Sequence, residues 1–569
     1  MSHTFAIQGD QFVLDGQPFQ IRSGELHYNR IPRAYWRDRM LKAKAMGLNT
    51  ICTYTFWNEH ERESGQWRFD GNLDIRAFIQ LAQELDLWVL LRPGPYVCSE
   101  WEWGGLPYWL TSIPNIQVRQ NNPEFLERSA TYMRMIAKQT ADLTIERGGP
   151  ILMVQVENEY GSFGSDHEYM AAIRDQIRDA GFDGTLFTSD GPTPEMLAGG
   201  TLPDVAAVVN FGSRPEERFA EFSKFRQNVP LMCGELWFGW FDHWGQEHHV
   251  TDVQVQANDL EWFMETGASF NIYMLHGGTN WGFMNGANWT PEGYRPDVSS
   301  YDYDSAIAED GRLTRKFYAF RDVIGTHIEH LPEPPEENST ISFHTVEFAE
   351  SGPLVSLTTN SESGSRSMEE LGQGYGYILY RANIHGSAKG RLTLQNLQDY
   401  AVIMSQGKIL GTLDRRLSQS EIEIEHNGQI EILVENSGRI NYAKEMLLER
   451  KGIEGATFDG QPIDEVTAHA VNLDKPKFQP GTDQSTPALY RATFTLTEVG
   501  DTHLDLRGWG KGNVWINGFN LGRHWNIGPQ LTTYCPAPFL KKGENEIIVC
   551  DLEPNRKRSI QGHFDSILG

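Results

Sequence analysis

Between Phe19 and about residue 325 the chain alternates short β-like apolar runs with segments of helical apolar spacing, and it does so eight times. The strand candidates are FQIRSGELHY (19–28), NTICTYTFW (49–57), LWVLLRPGPY (87–96), ILMVQVENEYG (151–161), TLFTSD (185–190), VAAVVNFG (205–212), PLMCGELWFG (230–239) and FNIYMLHGG (270–278). Several are continuously apolar, as parallel strands buried on both faces are. Between them, segments such as YWRDRMLKAKAMGL (35–48), NLDIRAFIQLAQELD (72–86), PEFLERSATYMRMIAKQTADLTIERGG (123–149) and VQANDLEWFMETGA (255–268) gather apolar side chains on one helical face. Eight alternations exceed the usual strand count of a doubly wound sheet and predict a (β/α)8 barrel over residues 1–328.

The pattern breaks at HLPEPPEENST (330–340), whose prolines and acids cannot continue a helix, so 329–340 is expected to be a linker. Beyond it, alternating runs including ISFHTVEF, YGYILYRANI, YAVIMSQGKIL, IEILVEN, LYRATFTL, NVWINGFNLG and NEIIVCDL are separated by turns rich in Gly, Asn and Asp. Landmarks repeat: Tyr380-Arg381 matches Tyr490-Arg491, Gly407 matches Gly518 and Gly428 matches Gly543, offsets of 110, 111 and 115 residues. A period that long suits two successive antiparallel β-sandwiches, expected at 341–470 and 471–569.

Composition narrows the partners. Against 49 Lys and Arg stand 76 Asp and Glu, a net charge of -27, which argues against nucleic acid or an anionic membrane. The five cysteines are scattered without a CxxC pair, so neither a disulfide framework nor a thiolate zinc site is expected. No charged-then-apolar leader opens the chain and no run of eighteen apolar residues follows. The chain as it stands is expected to be cytoplasmic, or periplasmic or secreted if a leader has been removed. A homo-oligomer stays open.

Carboxylates mark the chemistry, because a barrel of this kind works at the carboxyl ends of its strands. Strand four ends in QVENEYG, with Glu157, Asn158 and Glu159; strand seven ends in CGELWFG, with Glu235; Glu100 and Glu102 follow strand three. A single glutamate there is more often the ion-pair partner of a barrel arginine. Two ending different strands, each followed by aromatics, favour a divided pair, one carboxyl held protonated and the other ionised, as glycosidic cleavage requires. Alternation puts Glu157 and Glu159 on one face of the strand, so spacing alone does not choose between them. Trp57, Trp101, Trp103, Trp109, Trp237, Trp240, Trp244 and Trp281 all fall at strand ends or loops and suggest a sugar-stacking pocket. The run DHWGQEHH, with Asp242, His243, His248 and His249, lacks matched ligand spacing and reads as a solvated loop. No GxSxG elbow supports a serine hydrolase. Neither a metal nor a cofactor is expected.

With SGELHYNRIPRAYW, NTICTYTFWNEHE, RPGPYVCSEWEWGGLPYWL, VQVENEYGSFG, GELWFGWFDHWG, YMLHGGTNWGFMNGAN and YDYDSAIAEDG in order, the chain resembles the β-galactosidases of glycoside hydrolase family 35. VENSGRINY and LRGWGKGNVWINGFNLGRHW resemble that family's β-rich domains, the last its galactose-binding-like jelly roll. The resemblance implies a retaining exo-β-galactosidase that removes terminal β-galactose, with Glu159 as acid/base and Glu235 as nucleophile. It implies that Tyr54, Cys98, Ser99, Glu100, Asn158, Tyr273 and Tyr303 hold the galactose. The chain departs from the lysosomal members in carrying Trp237 where they have a tyrosine, which removes a hydroxyl near the nucleophile. WFGWFDHW resembles a bacterial subgroup instead, making Trp240 the candidate platform for the leaving sugar, with Tyr442 reaching the same side and β-1,3-linked galactosides the expected preference. The rivals are a related exo-glycosidase for another terminal sugar and a carbohydrate-binding protein with an inactive barrel.

Overall fold

The computed structural model describes residues 3–386, 388–474, 476–554 and 558–569. Eight parallel strands, β1 (Arg22–Leu26), β2 (Thr50–Tyr54), β3 (Trp88–Arg92), β4 (Ile151–Gln155), β5 (Thr185–Asp190), β6 (Ala206–Phe211), β7 (Met232–Trp237) and β8 (Ser269–His276), close into a barrel in sequence order. Each is followed by a helix: α1 (Trp36–Met46), α2 (Ile75–Glu84), α3 (Pro123–Thr140), α4 (His167–Ala180), α5 (Pro194–Gly200), α6 (Pro215–Phe225), α7 (Val253–Thr266) and α8 (Arg315–Gly325). All eight strand expectations hold. The physical reason is burial on both faces, which leaves each strand a dense apolar run with few polar exceptions.

The two ends of the barrel differ. A three-stranded sheet (Phe5–Gln8, Gln11–Leu14, Gln17–Pro18) caps the amino end, where Phe5 and Phe12 pack with Cys52, Leu90, Met153, Phe187 and Met232. The carboxyl end is left to the loops. β7 arrives there through a register shift, between Cys233 and Glu235 against β6 and between Cys233 and Leu236 against β8. Gly234 sits at the shift, and a Cβ on it would meet Ser189 Oγ at 2.3 Å, so the bulge that aims Glu235 needs glycine.

Two sandwiches follow, each a six-stranded sheet packed on a four-stranded one. In the first, the sheet Thr358–Ser363, Val466–Val471, Tyr377–Asn383, Gln429–Glu435, Tyr400–Ser405, Lys408–Asp414 shares a core with Lys389–Gln395 and its neighbours. In the second, the third to sixth positions of the six-stranded sheet fall to Ala488–Leu496, Gly543–Asp551, Lys511–Ile516 and Phe519–Trp525. The sheets match strand for strand there, so the repeat in the sequence is a structural one. One expectation is corrected. Strands Phe343–Glu347 and Glu350–Pro353, placed in the first sandwich by the 341–470 span, pair with Ser559–His563 and Ala488–Leu496 of the second. The first sandwich is thus an insertion between two parts of the second, an arrangement that strand periodicity cannot reveal because pairing across more than 130 residues leaves no local trace.

The YILY run is apolar throughout because Ile378 and Tyr380 face the sandwich core while Tyr377 and Leu379 face a second core shared with Trp244 of the barrel and Leu489, Trp525 and Cys550 of the second sandwich. Ion pairs seal the rest of this junction. Arg439, fully buried, pairs with Glu102 of the barrel and Glu369 of the first sandwich and donates to the Gly374 carbonyl at 2.9 Å. Arg439→Met leaves two buried carboxylates without their cation and is expected to cost about 3–5 kcal/mol. An unchanged midpoint in chemical denaturation would count against that role for the ion triad.

Candidate active site

The pocket at the carboxyl end of the barrel, with a volume near 170 Å³, is lined by Tyr54, Cys98, Ser99, Glu100, Asn158, Glu159, Glu235, Trp237, Tyr273 and Tyr303, with Trp240 and Tyr442 among its outer residues. The structure therefore brings together all eleven site residues expected from the sequence. That volume lies below the roughly 300–1,000 Å³ of sites for drug-sized ligands and fits a single sugar ring better than a chain.

Glu235 closes β7 surrounded by donors. Arg92, closing β3, pairs with it through Nη2; the Tyr54 hydroxyl lies 2.8 Å from its Oε1; the Trp237 indole N–H donates to Oε2 at 2.9 Å. The tryptophan thus replaces the missing tyrosine hydroxyl with another donor. Arg92 also faces Glu25 of β1 at 3.3 Å, and although burial opposes it, the guanidinium brings the Glu25 carboxyl down to about 2. Asn158 Oδ1 lies 2.9 Å from the Tyr54 hydroxyl, Arg92 Nη2 and Gln155 Nε2. That crowding turns its amide oxygen away from any ligand.

Glu159 has the opposite surroundings. Among the described residues its side chain takes one hydrogen bond, from Asn210 Nδ2 of β6 at 3.0 Å. Burial, and next the negative charge of Glu235, push its carboxyl up to about 8. Glu157 does not reach the pocket. Arg119 grips it at both oxygens, at 2.8 and 2.9 Å, and Tyr169 adds 3.1 Å. The alternation that put Glu157 and Glu159 on one face fails because β4 ends at Gln155 and both glutamates take left-handed backbone, φ 57° and 47°. Glu102 likewise belongs to the Arg439 ion triad.

Cys98, Ser99 and Glu100 form three successive left-handed residues, φ 57°, 60° and 45°, each strained by on the order of 1 kcal/mol. Arg30 holds them: Nη1 reaches Ser99 Oγ at 2.8 Å, Nη2 takes the Ser99 carbonyl, and the guanidinium lies 3.9 Å from the Tyr301 ring centroid. Burial pushes Glu100 up to about 7 against the hydrogen bond from the Tyr301 hydroxyl. The Cys98 thiol is pushed well up by burial and lies 3.4 Å from Asn441 Nδ2, contributed by the first sandwich.

The tryptophans are corrected. Only Trp237 and Trp240 of the eight line the pocket. Trp57, Trp101, Trp103, Trp109, Trp244 and Trp281 are buried: Trp57, Trp101 and Trp109 pack on barrel side chains, whereas Trp103, Trp244 and Trp281 are covered by the sandwiches. Trp240 stays exposed at 38 %, stacked on Phe241 with centroids 4.9 Å apart. The DHWGQEHH run is solvated only in part: Gly245, Gln246 and Glu247 are exposed, whereas Asp242 is buried and bonded to His248 Nδ1 at 2.7 Å and His249 Nδ1 at 2.9 Å.

The pocket thus holds one carboxyl with a single amide donor and another with several, and a division of that kind suits an acid pair in glycoside cleavage. The model of glycosyl hydrolases family 35 matches residues 11–327; the models of the first all-β domain and the galactose-binding domain of β-galactosidase match 366–472 and 487–545. The chain belongs to glycosyl hydrolase family 35. The β-galactosidase of Xanthomonas manihotis is 46% identical over 93% of this chain and 91% of that protein. The human β-galactosidase-1-like protein 2 is 38% identical over 95% of this chain and 88% of that protein, and mouse β-galactosidase 37% over 96% and 90%.

Sequence reasoning passed over Arg30, Arg92, Asn210, Tyr301 and Asn441, which position the family 35 pocket without all lining it. Arg92 left a signal: an arginine closing the apolar run LWVLL has no wet face to occupy and so needs an interior partner. Because folding raises the Glu159 carboxyl to about 8, the folded chain holds that proton more tightly than the unfolded chain does, and its stabilising effect is lost as pH climbs through that value. Glu159→Gln is expected to raise the thermal midpoint relative to wild type at about pH 9, with the difference shrinking toward about pH 5. A difference independent of pH would refute this origin of the shift.

Proposed function

We propose that the chain is a retaining exo-β-galactosidase in which Glu235 is the nucleophile and Glu159 the acid/base. The observation that carries this reading is the contrast between the two carboxyls, Glu159 raised to about 8 and Glu235 held by Arg92, Tyr54 and Trp237. A Glu235 oxygen attacks the anomeric carbon as the glycosidic bond breaks, and the Glu159 proton goes to the departing oxygen. Ester formation removes the charge on Glu235, which is the largest cause of the Glu159 shift after burial. The Glu159 pKa thereby falls, so the carboxylate left after proton transfer stays ionised and is free to act as the base. It takes a proton from water, whose oxygen displaces Glu235 from the anomeric carbon and restores the original configuration.

The galactose lies among Tyr54, Cys98, Ser99, Glu100, Asn158, Tyr273 and Tyr303, where Glu100 and the Asn158 amide offer hydrogen-bond partners to its hydroxyls and the tyrosines offer rings. Exo action is supported by the small volume and by the burial of its base, where Tyr54, Tyr273 and Tyr303 are each under 5 % exposed. Trp237 and Trp240 shape the leaving-group side, and β-1,3-linked galactosides are the preferred substrates.

Glu235→Gln is expected to lower kcat about a thousandfold or more; substantial residual turnover would assign the nucleophile elsewhere. Proton NMR of the first product should show β-galactose before mutarotation, and α-galactose appearing first would mean inversion. The wild-type kcat/KM should decline as pH rises through about 8, when Glu159 loses its proton. A panel of nitrophenyl glycosides should place galactose first among terminal sugars.

A further inference from the structure

The pocket wall carries a donor outside the machinery above. Asn288 lies in the strand Ala287–Thr290, which pairs with Gly293–Pro296 in a hairpin after β8, and it lines the pocket. Its Oδ1 is 2.9 Å from His243 Nε2, and the same ring nitrogen is 3.3 Å from Asp297 Oδ1. An amide oxygen has no proton to give, so Nε2 carries the hydrogen and Asn288 accepts it. The ring is held at its other end too, with Nδ1 3.2 Å from Gln246 Oε1. Asp297 is buried, neither of its oxygens has a hydrogen bond to a described residue, and its Oδ1 faces the His243 ring nitrogen.

With Oδ1 committed to His243, the Asn288 amide nitrogen is turned the other way, and it makes no hydrogen bond to any described residue. Position decides what it meets. Glu235 and the three tyrosines are buried at the base of the pocket, whereas Asn288 is partly exposed, as are Glu159 and Tyr442, and Trp240 is exposed. A galactosyl unit seated on Glu235 therefore directs its leaving group toward Asn288.

We infer that Asn288 is a specificity-determining residue whose Nδ2 donates to a hydroxyl of the sugar from which galactose is cleaved, with His243, backed by Asp297, as the positioning residue that keeps the amide so turned. This rests on the galactosidase reading above. Initial rates on a galactosyl disaccharide and on an aryl galactoside, whose leaving group has no sugar hydroxyl, test it. Asn288→Asp, which replaces the donor with an acceptor of the same shape, and Asn288→Ala are expected to lower the disaccharide-to-aryl ratio of kcat/KM about tenfold, the effect of one hydrogen bond. His243→Leu should lower the ratio in the same direction, and His243→Gln, which supplies an amide N–H, should restore it. An unchanged ratio in the Asn288 variants overturns the inference, and a His243→Leu loss that His243→Gln does not restore overturns the positioning role. A wild-type enzyme inactive on both substrates overturns the galactosidase reading itself, and this inference with it.

Discussion

The buried Arg92 guanidinium is the interaction around which the barrel mouth is organised. Taking charge out of water costs several kcal/mol per ion unless partners surround it. Glu25 and Glu235, from strands on either side of the closure, share this one cation, and the Tyr54 ring lies 4.0 Å from it. The same guanidinium fixes Asn158 through its amide oxygen. One buried cation thus touches Glu25 beneath the pocket and Tyr54, Asn158 and Glu235 of its lining. Glu159, across the pocket, is denied such a partner, and its raised pKa is the result.

A second cation works on the backbone. The left-handed run at Cys98, Ser99 and Glu100 would not persist in a solvated loop, since each residue is strained. Arg30 binds both the side chain and the carbonyl of Ser99, and Asn280 Oδ1 takes its Nε at 2.8 Å. The pocket's polar wall is therefore a strained loop held in place by a buried charge.

How legible all this is in the sequence depends on how local its cause is. The eight strands were legible because burial on both faces writes itself into adjacent residues. Glu159 and Glu235 could be narrowed to strand ends, but the separation of Glu159 from Glu157 lies in two backbone angles and an arginine 38 positions away, so the residues alone left both open. The tryptophans misled because loop positions over a barrel are wet only if nothing covers them. Trp103, Trp244 and Trp281 are covered by the sandwiches and Trp57, Trp101 and Trp109 by the barrel's own side chains, and contacts of that range leave no periodic mark. The buried arginines were the hardest to see, since charge in a sequence reads first as solvated surface.

The sandwiches also bear on what the pocket is. Asn441 Nδ2 lies 3.5 Å from Glu100 Oε1, and Tyr442 beside it joins the outer wall. Their loop is locked to the barrel by the Arg439 triad, by the Tyr96 hydroxyl donating to the Asn441 carbonyl at 2.5 Å and by the Tyr294 hydroxyl donating to the Gly438 carbonyl at 2.6 Å. A brace that only stiffened the barrel would have no reason to send polar side chains into its mouth. The first sandwich supplies part of the wall, so the shape of the sugar site is set by the junction between domains as much as by the barrel loops.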